Sequence, residues 1–135
     1  RFKCDWSSDV CSSDLAMKDP TRGGVISALV EMAEKAGVAI ALDEVALPLS
    51  APGRAAAELL GIDPLTVANE GKALLGVHPG AVDRVLAALR AHPLGQAAAC
   101  IGRVTAGETG SLLLDTGFGT RRLFERDGDP LPRIC

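Results

Sequence analysis

Tyrosine is missing from the chain, tryptophan occurs once, and aromatic residues make up only 3% of it. Any core must therefore be built mostly from Ala, Leu and Val. Clusters of positive charge are missing too: no run of Lys and Arg is longer than Arg121-Arg122, and 14 basic against 17 acidic residues leave a formal net charge of -3. Without a basic patch there is no electrostatic footprint for nucleic acid or an anionic membrane, and neither is expected as a partner. No apolar stretch approaches the roughly 20 residues that span a bilayer, and the N-terminus lacks the charged-then-apolar pattern of a signal peptide. A cytoplasmic protein is the expectation. The four cysteines, Cys4, Cys11, Cys100 and Cys135, form no CxxC pair, which argues against a zinc ribbon, a thioredoxin-like motif or a disulfide framework. No metal site is expected. A Walker A pattern, a GxGxxG loop and an internal repeat of 20–50 residues are absent as well.

What remains is a chain of 135 residues, 47% hydrophobic and 23% charged, of a size and composition suited to one packed domain or half of a larger protein. The opening RFKCDWSSDVCSSDL carries a short echo (Ser7-Ser8-Asp9-Val10, then Ser12-Ser13-Asp14-Leu15) and no sustained periodicity. It resembles translated adapter sequence, and residues 1–15 are taken as a non-native leader. From Ala16 the pattern is orderly. Asp19 is placed to cap a helix with Pro20 at its first position, and Ile26, Leu29, Val30 and Ala33 recur at helical spacing up to Gly37. Val38–Leu42 reads as a buried strand followed by an extended piece to Pro48. Pro52 opens a second helix, with Ala56, Leu59 and Leu60 on one face and Gly61 as its C-cap.

A turn-rich connector, Asp63–Gly71, leads to a strand over Lys72–Val77 and a third helix with Val82, Val85, Leu86 and Leu89 on one face. Ala98–Val104, Ser111–Leu114 and Thr120–Phe124 then read as three closely spaced strands in an antiparallel meander, with Gly107 and Gly110 in one turn and Gly117 and Gly119 in the next. The expected class is α+β, a mixed sheet covered by helices over residues 16–126. Residues 127–135 carry Pro130 and Pro132 and no apolar periodicity, so an extended tail is expected that reaches about 30 Å and carries Cys135 at its end.

Three constellations bear on chemistry. Asp19-Pro20-Thr21-Arg22-Gly23-Gly24 places two glycines in a helix opening, where each costs up to about 1 kcal/mol relative to alanine. Two explanations stay open: free N–H groups and Arg22 receiving an anion such as a phosphate or carboxylate, or close packing of a strand against the helix. Ala68-Asn69-Glu70-Gly71-Lys72 precedes an apolar strand, a position that presents side chains to a cleft. There Glu70 is a candidate base and Lys72 its electrostatic partner, against the plainer reading of a solvated ion pair in a turn. Cys135 ends the chain; its thiol needs a nearby cation to ionise at neutral pH, which Arg133 offers and the terminal carboxylate opposes. Cys100, in an apolar run, is expected in the core. His78 and His92 each precede proline and are expected at the surface.

The DPTRGG opening, ANEGK before a strand, Ala91-His92-Pro93-Leu94-Gly95 after a helix and the terminal Pro132-Arg133-Ile134-Cys135 together resemble the C-terminal half of the HypE family of hydrogenase expression/formation proteins. The resemblance runs from Met17 to Cys135, and the terminal PRIC is its most discriminating part. It implies an aminoimidazole ribonucleotide synthetase-like C-terminal domain, normally preceded by an ATP-binding, dimerising domain that is absent here. It further implies ATP, with Mg, as co-substrate, and Cys135 as carrier of a carbamoyl group supplied by a carbamoyltransferase maturation protein. That group is dehydrated to a thiocyanate, and its cyanide passes to iron on a maturation scaffold complex. On this reading Glu70 is the base, and Asn69 and Lys72 orient the group. Asp19, Thr21, Arg22, Gly23 and Gly24 shape a phosphate-facing wall, and the fragment alone is inactive. Two alternatives stand beside it: selenophosphate, purine or thiamine phosphate chemistry in the same superfamily, or a non-catalytic assembly module.

Overall fold

The computed structural model describes residues 15–125, so the leader up to residue 14 and the tail with Pro132, Arg133, Ile134 and Cys135 lie outside the described residues. Helix α1 (Gly24–Ala36) organises the rest. Ile26, Leu29, Val30 and Ala33 fall on one side of it because 3.6 residues make a turn, and all four are buried. Gly37 ends it in the left-handed region at φ 69°, donating its N–H to the carbonyls of Ala33 and Glu34. A β-carbon there would meet nothing within 4 Å, so Gly37 is required by its backbone angle and not by lack of room.

The buried face of α1 lies against a four-stranded sheet of order β4-β2-β5-β6, formed by β4 (Gly102–Thr105), β2 (Ala39–Asp43), β5 (Leu112–Asp115) and β6 (Thr120–Leu123). Strand register lines up the apolar residues: Ile40 sits opposite Leu112, Leu42 opposite Leu114, and Leu112 opposite Leu123. Because side chains alternate across a strand, this puts Ile40, Leu42, Leu112, Leu114 and Leu123 into one core with α1. A second sheet pairs β1 (Leu15–Lys18) with β3 (Leu74–Val77), antiparallel. It packs on α1 where Gly76 approaches the Met32 side chain, and the Lys18–Glu31 ion pair ties β1 to the helix.

The α+β class agrees with expectation, and several details do not. Residues 98–123 form no meander, because β2 lies between β4 and β5, antiparallel to the first and parallel to the second. Strands β2 and β5 hold most of the sheet's buried residues, and the two central positions pair the backbone of each on both sides. Residues 106–111 cross over its start: Gly110 N–H donates to the Val38 carbonyl at 3.0 Å, and a β-carbon on Gly107 would come within 2.9 Å of Ala39 Cβ. The piece after β2 is a turn, closed by Val45 N–H on Asp43 Oδ1 at 3.0 Å. The sequence reading also passed over β1, a strand too short to show an alternating pattern.

Helix α2 (Ala51–Leu60) has Pro52 in its first turn and Gly61 as C-cap, as expected, and Ser50 is its N-cap. Its expected buried face is not buried, however: no residue of α2 is, and Leu59 is 86% and Leu60 65% exposed. Local capping, not burial, sets its limits. In α3 (Val82–Arg90) the apolar face of Val82, Val85, Leu86 and Leu89 is half-buried. His78 and His92 are exposed as expected, and each does a further job: its Nδ1 accepts an N–H, from Gly80 and from Leu94 respectively, both at 3.2 Å, capping the short 3-10 turns that flank α3.

This layout separates two classes of leucine. Leu112→Ala, at a fully buried position, is expected to lower unfolding free energy in urea by about 2–5 kcal/mol. Leu59→Ala should change it by less than about 0.5 kcal/mol.

Candidate active site at the opening of helix α1

After β1 the chain passes through Asp19 and a fully buried Pro20, then exposes Thr21 and Arg22 before reaching Gly23 and Gly24. Asp19 does not cap the helix and Pro20 is not its first residue. The N-cap is Gly23, without a side-chain bond. Gly23 at φ 72° and Gly24 at φ 63° both lie in the left-handed region, which a continuous right-handed helix cannot accept, so α1 begins later than the proline signal implies. The turn closes through Gly24 N–H to the Thr21 carbonyl at 3.1 Å.

Close backbone approach is what Gly24 provides. A β-carbon there would lie 2.5 Å from the Leu65 carbonyl oxygen and 2.6 Å from that of Val67. The body pressed against the helix is the connector and not a strand. The connector in turn occupies one of the helix's free donors, since Ile26 N–H bonds the Leu65 carbonyl at 3.2 Å. With Gly24 and Ile26 both committed to protein carbonyls, the exposed Arg22 guanidinium is the main donor left there for an anion.

Asp63 shapes the connector. Its Oδ1 accepts Leu65 N–H at 3.0 Å, and its carbonyl accepts the Thr66 N–H at 3.0 Å and the Thr66 hydroxyl at 2.7 Å. Leu65 and Thr66 are buried as a result. Further along, Asn69 N–H donates to the Pro20 carbonyl at 2.9 Å. That bond joins the two sequence motifs: Asn69 is half-buried beside the DPTRGG turn, while Glu70, Gly71 at φ 72° and Lys72 follow in an exposed loop before β3. The strand begins at Leu74, so Lys72 belongs to the loop. Among the described residues Glu70 and Lys72 form no ion pair with each other.

The third constellation meets the other two only through its root. Cys135 lies outside the described residues, but Glu125, where the description ends, has its Oε1 3.9 Å from where a β-carbon on Gly23 would stand. Glu125 therefore stands beside the opening of α1, the same turn that Asn69 bonds through Pro20.

Residues 14–115 match the family described as AIR synthase related protein, C-terminal domain. The chain belongs to this family. It is 48% identical over 120 residues to the carbamoyl dehydratase HypE of Rhizobium leguminosarum bv. viciae, covering 88% of this chain and 34% of that protein. The crystal structure of E. coli HypE superposes with a TM-score of 0.83 at 44% identity, covering 89% of this chain and 37% of that one. A HypE crystal structure in complex with ATP gives 0.80 at 33% identity, over 85% of this chain and 36% of the other. A HypE-HypF complex gives 0.77 at 33%, over 82% and 36%. These likenesses support a C-terminal fragment of a HypE protein, in keeping with the motif resemblance, and the chain spans about a third of the length of the relatives it matches. Among the described residues no helix is long and apolar enough to cross a membrane.

Elsewhere the family domain holds one correction and two residues the motifs did not reveal. Cys100 is exposed, not in the core, and its Sγ bonds the Gly102 carbonyl at 3.5 Å. The apolar run around it is the approach to β4, which starts only at Gly102, where a β-carbon would strike the Ala41 carbonyl at 2.2 Å. Asp63 was legible only as the start of an Asp-Pro turn. Its partner Arg121, at 3.3 Å, lies 58 positions away and left no sequence signal.

Two outcomes follow. Gly24→Ala should lower thermal stability and speed amide exchange at Asn69, because its β-carbon strikes connector backbone. Gly71→Ala, with nothing within 4 Å, should carry only the positive-φ cost of about 1 kcal/mol. Nearby, Arg122 bonds Glu108 at 2.8 Å and by that bond, then by its charge, holds the Glu108 carboxyl below its ordinary 4.5. A carboxyl depressed in the folded state stabilises above its unfolded value and loses that contribution as pH falls through the folded one. The stability gap between wild type and Glu108→Gln should therefore be present at neutral pH and close at pH below 4.5 in acid titrations.

Proposed function

We propose that this domain belongs to a hydrogenase maturation factor that dehydrates a carbamoyl group carried on Cys135 to a thiocyanate, using ATP. The observation that carries the reading is the convergence at one place of the DPTRGG turn, the Asn69-Glu70 loop and the root of the segment that ends in Cys135. From Glu125, ten residues span at most about 35 Å, enough to bring a terminal thiol back to Glu70 or out to a partner. The names of the relatives support the same chemistry, and the solved ATP and HypF complexes support a nucleotide and a maturation partner for HypE proteins.

The steps balance as follows. A carbamoyltransferase partner transfers its group to the Cys135 sulfur, giving a thiocarboxamide. The amide oxygen attacks the γ-phosphorus of ATP, ADP leaves, and an O-phosphorylated intermediate forms. The nitrogen gives up both of its protons, Glu70 accepting them in turn, the carbon–oxygen bond breaks, inorganic phosphate departs with one of these protons and the other passes to solvent, and a thiocyanate remains. Asn69 and Lys72 orient the group. Asp19, Thr21, Arg22, Gly23 and Gly24 face the phosphates, with Arg22 as the charged donor, while the remainder of the site, Mg included, is supplied by residues beyond this chain. Residues 16–126 form the domain and 127–135 the carrier tail, and Leu15 at the edge of the leader already pairs with Val77 in β1. In the cytoplasm, the full-length protein works as a homodimer and passes cyanide to iron on a scaffold complex. The fragment alone is inactive.

Mass spectrometry of the full-length protein with the carbamoyltransferase, carbamoyl phosphate and ATP tests this. Wild type should gain a carbamoyl group on Cys135 and then lose one water, Cys135→Ser should gain neither change, and Glu70→Gln should be carbamoylated yet lose water about 10²–10⁴ times more slowly. An unmodified Cys135, with the partner active on a control protein, overturns the reading.

A further inference from the structure

The loop that carries Glu70 is exposed, and in the described structure it is held in place from its base. Asp63 folds that base, and its second carboxylate oxygen, Oδ2, accepts a hydrogen bond from Arg121 at 3.3 Å. Among the described residues this is the one salt bridge between the connector and the sheet. Its geometry is informative. Asp63 is largely sheltered, at 24% side-chain exposure, and its two oxygens serve different ends, Oδ1 the turn and Oδ2 the sheet. Arg121 lies on β6 opposite Leu114, in the last strand before Glu125.

From Arg121 the contacts continue without a gap. Asp63 sets Leu65 and Thr66, the Leu65 carbonyl meets Gly24 and Ile26, and Asn69 bonds Pro20 just before Glu70. We propose that Asp63 and Arg121 form a positioning pair for the dehydration step, registering the Glu70 loop against the strand that delivers the carrier thiol. The pair touches neither substrate nor nucleotide. It acts by keeping base and tail root on one frame, so that the loaded thiocarboxamide meets Glu70 at bonding distance. The proposal rests on the reading of Glu70 as base and Cys135 as carrier.

The test uses the full-length protein with Asp63→Asn, Arg121→Gln and Arg121→Lys. Asp63→Asn keeps an oxygen for Leu65 N–H and so keeps the turn, while removing the charge that holds Arg121. Four quantities are read: carbamoylation of Cys135, thermal midpoint, KM for ATP, and the single-turnover rate of water loss with phosphate released per thiocyanate formed. Asp63→Asn and Arg121→Gln are expected to leave the first three unchanged and to slow water loss about tenfold. More than one phosphate should be released per thiocyanate, as misplaced intermediates return to thiocarboxamide by reaction with water. Arg121→Lys should restore most of the rate. Raising the salt should slow wild type toward Asp63→Asn and leave that variant unaffected, because screening weakens an exposed ion pair. Variants matching wild type in rate and stoichiometry overturn the proposal. So does a slower rate accompanied by a lower thermal midpoint or lost carbamoylation, which makes the pair a structural staple. If wild type is never carbamoylated, or Glu70→Gln dehydrates normally, the underlying reading fails as well; if both behave as expected and only the pair variants match wild type, the positioning role alone fails.

Discussion

The contact between Gly24 and the connector is the constraint on which the candidate site depends. Carbonyl oxygens of Leu65 and Val67 stand where a β-carbon would otherwise be, so the helix opening and the loop base share one volume. Two effects follow from that proximity. A helix donor is satisfied by the Leu65 carbonyl instead of by water, and Asn69 is carried far enough along α1 to bond Pro20. A glycine at positive φ is costly in the abstract. Here it permits an approach that places a carboxylate loop beside a cationic turn.

The core is arranged to hold that contact still. Helix α1 contacts β2 and β5 of the larger sheet and β3 of the smaller, and its buried face is packed before its N-terminus meets the connector. Close-packed interiors are hard to compress, which makes α1 a firm base for an exposed loop. The periphery is different in kind. Helix α2 is bounded by caps and buries nothing, and Val104 on β4 and Phe124 beyond β6 lie open. The candidate site lies where the backbone is crowded, on the side of α1 facing the connector, and not on the apolar surface of α2.

Local rules determined a good deal from sequence alone. Gly37 and Gly61 as helix ends, Pro52 near a helix start, the helical spacing of Ile26, Leu29, Val30 and Ala33, and the α+β class all follow from capping and periodicity, which act over a few residues. The motifs DPTRGG and ANEGK were also legible, and the two explanations for Gly23 and Gly24 could be stated in advance. The structure favours backbone packing at Gly24 and leaves Arg22 free for an anion.

What the sequence could not supply was whatever depended on partners distant along the chain. The placement of β2 between β4 and β5, the exposure of Cys100 and of Leu59, the meeting of Asn69 with Pro20 and the Arg121–Asp63 pair are all long-range choices. Hydrophobicity says that a residue gains by burial, but only the topology says whether anything is there to cover it. By itself the sequence determined the three helices, most of the strands and which residues are chemically equipped to act. Tertiary structure alone decided which of them meet, because backbone hydrogen bonds and side-chain packing between distant segments leave no local periodicity to read.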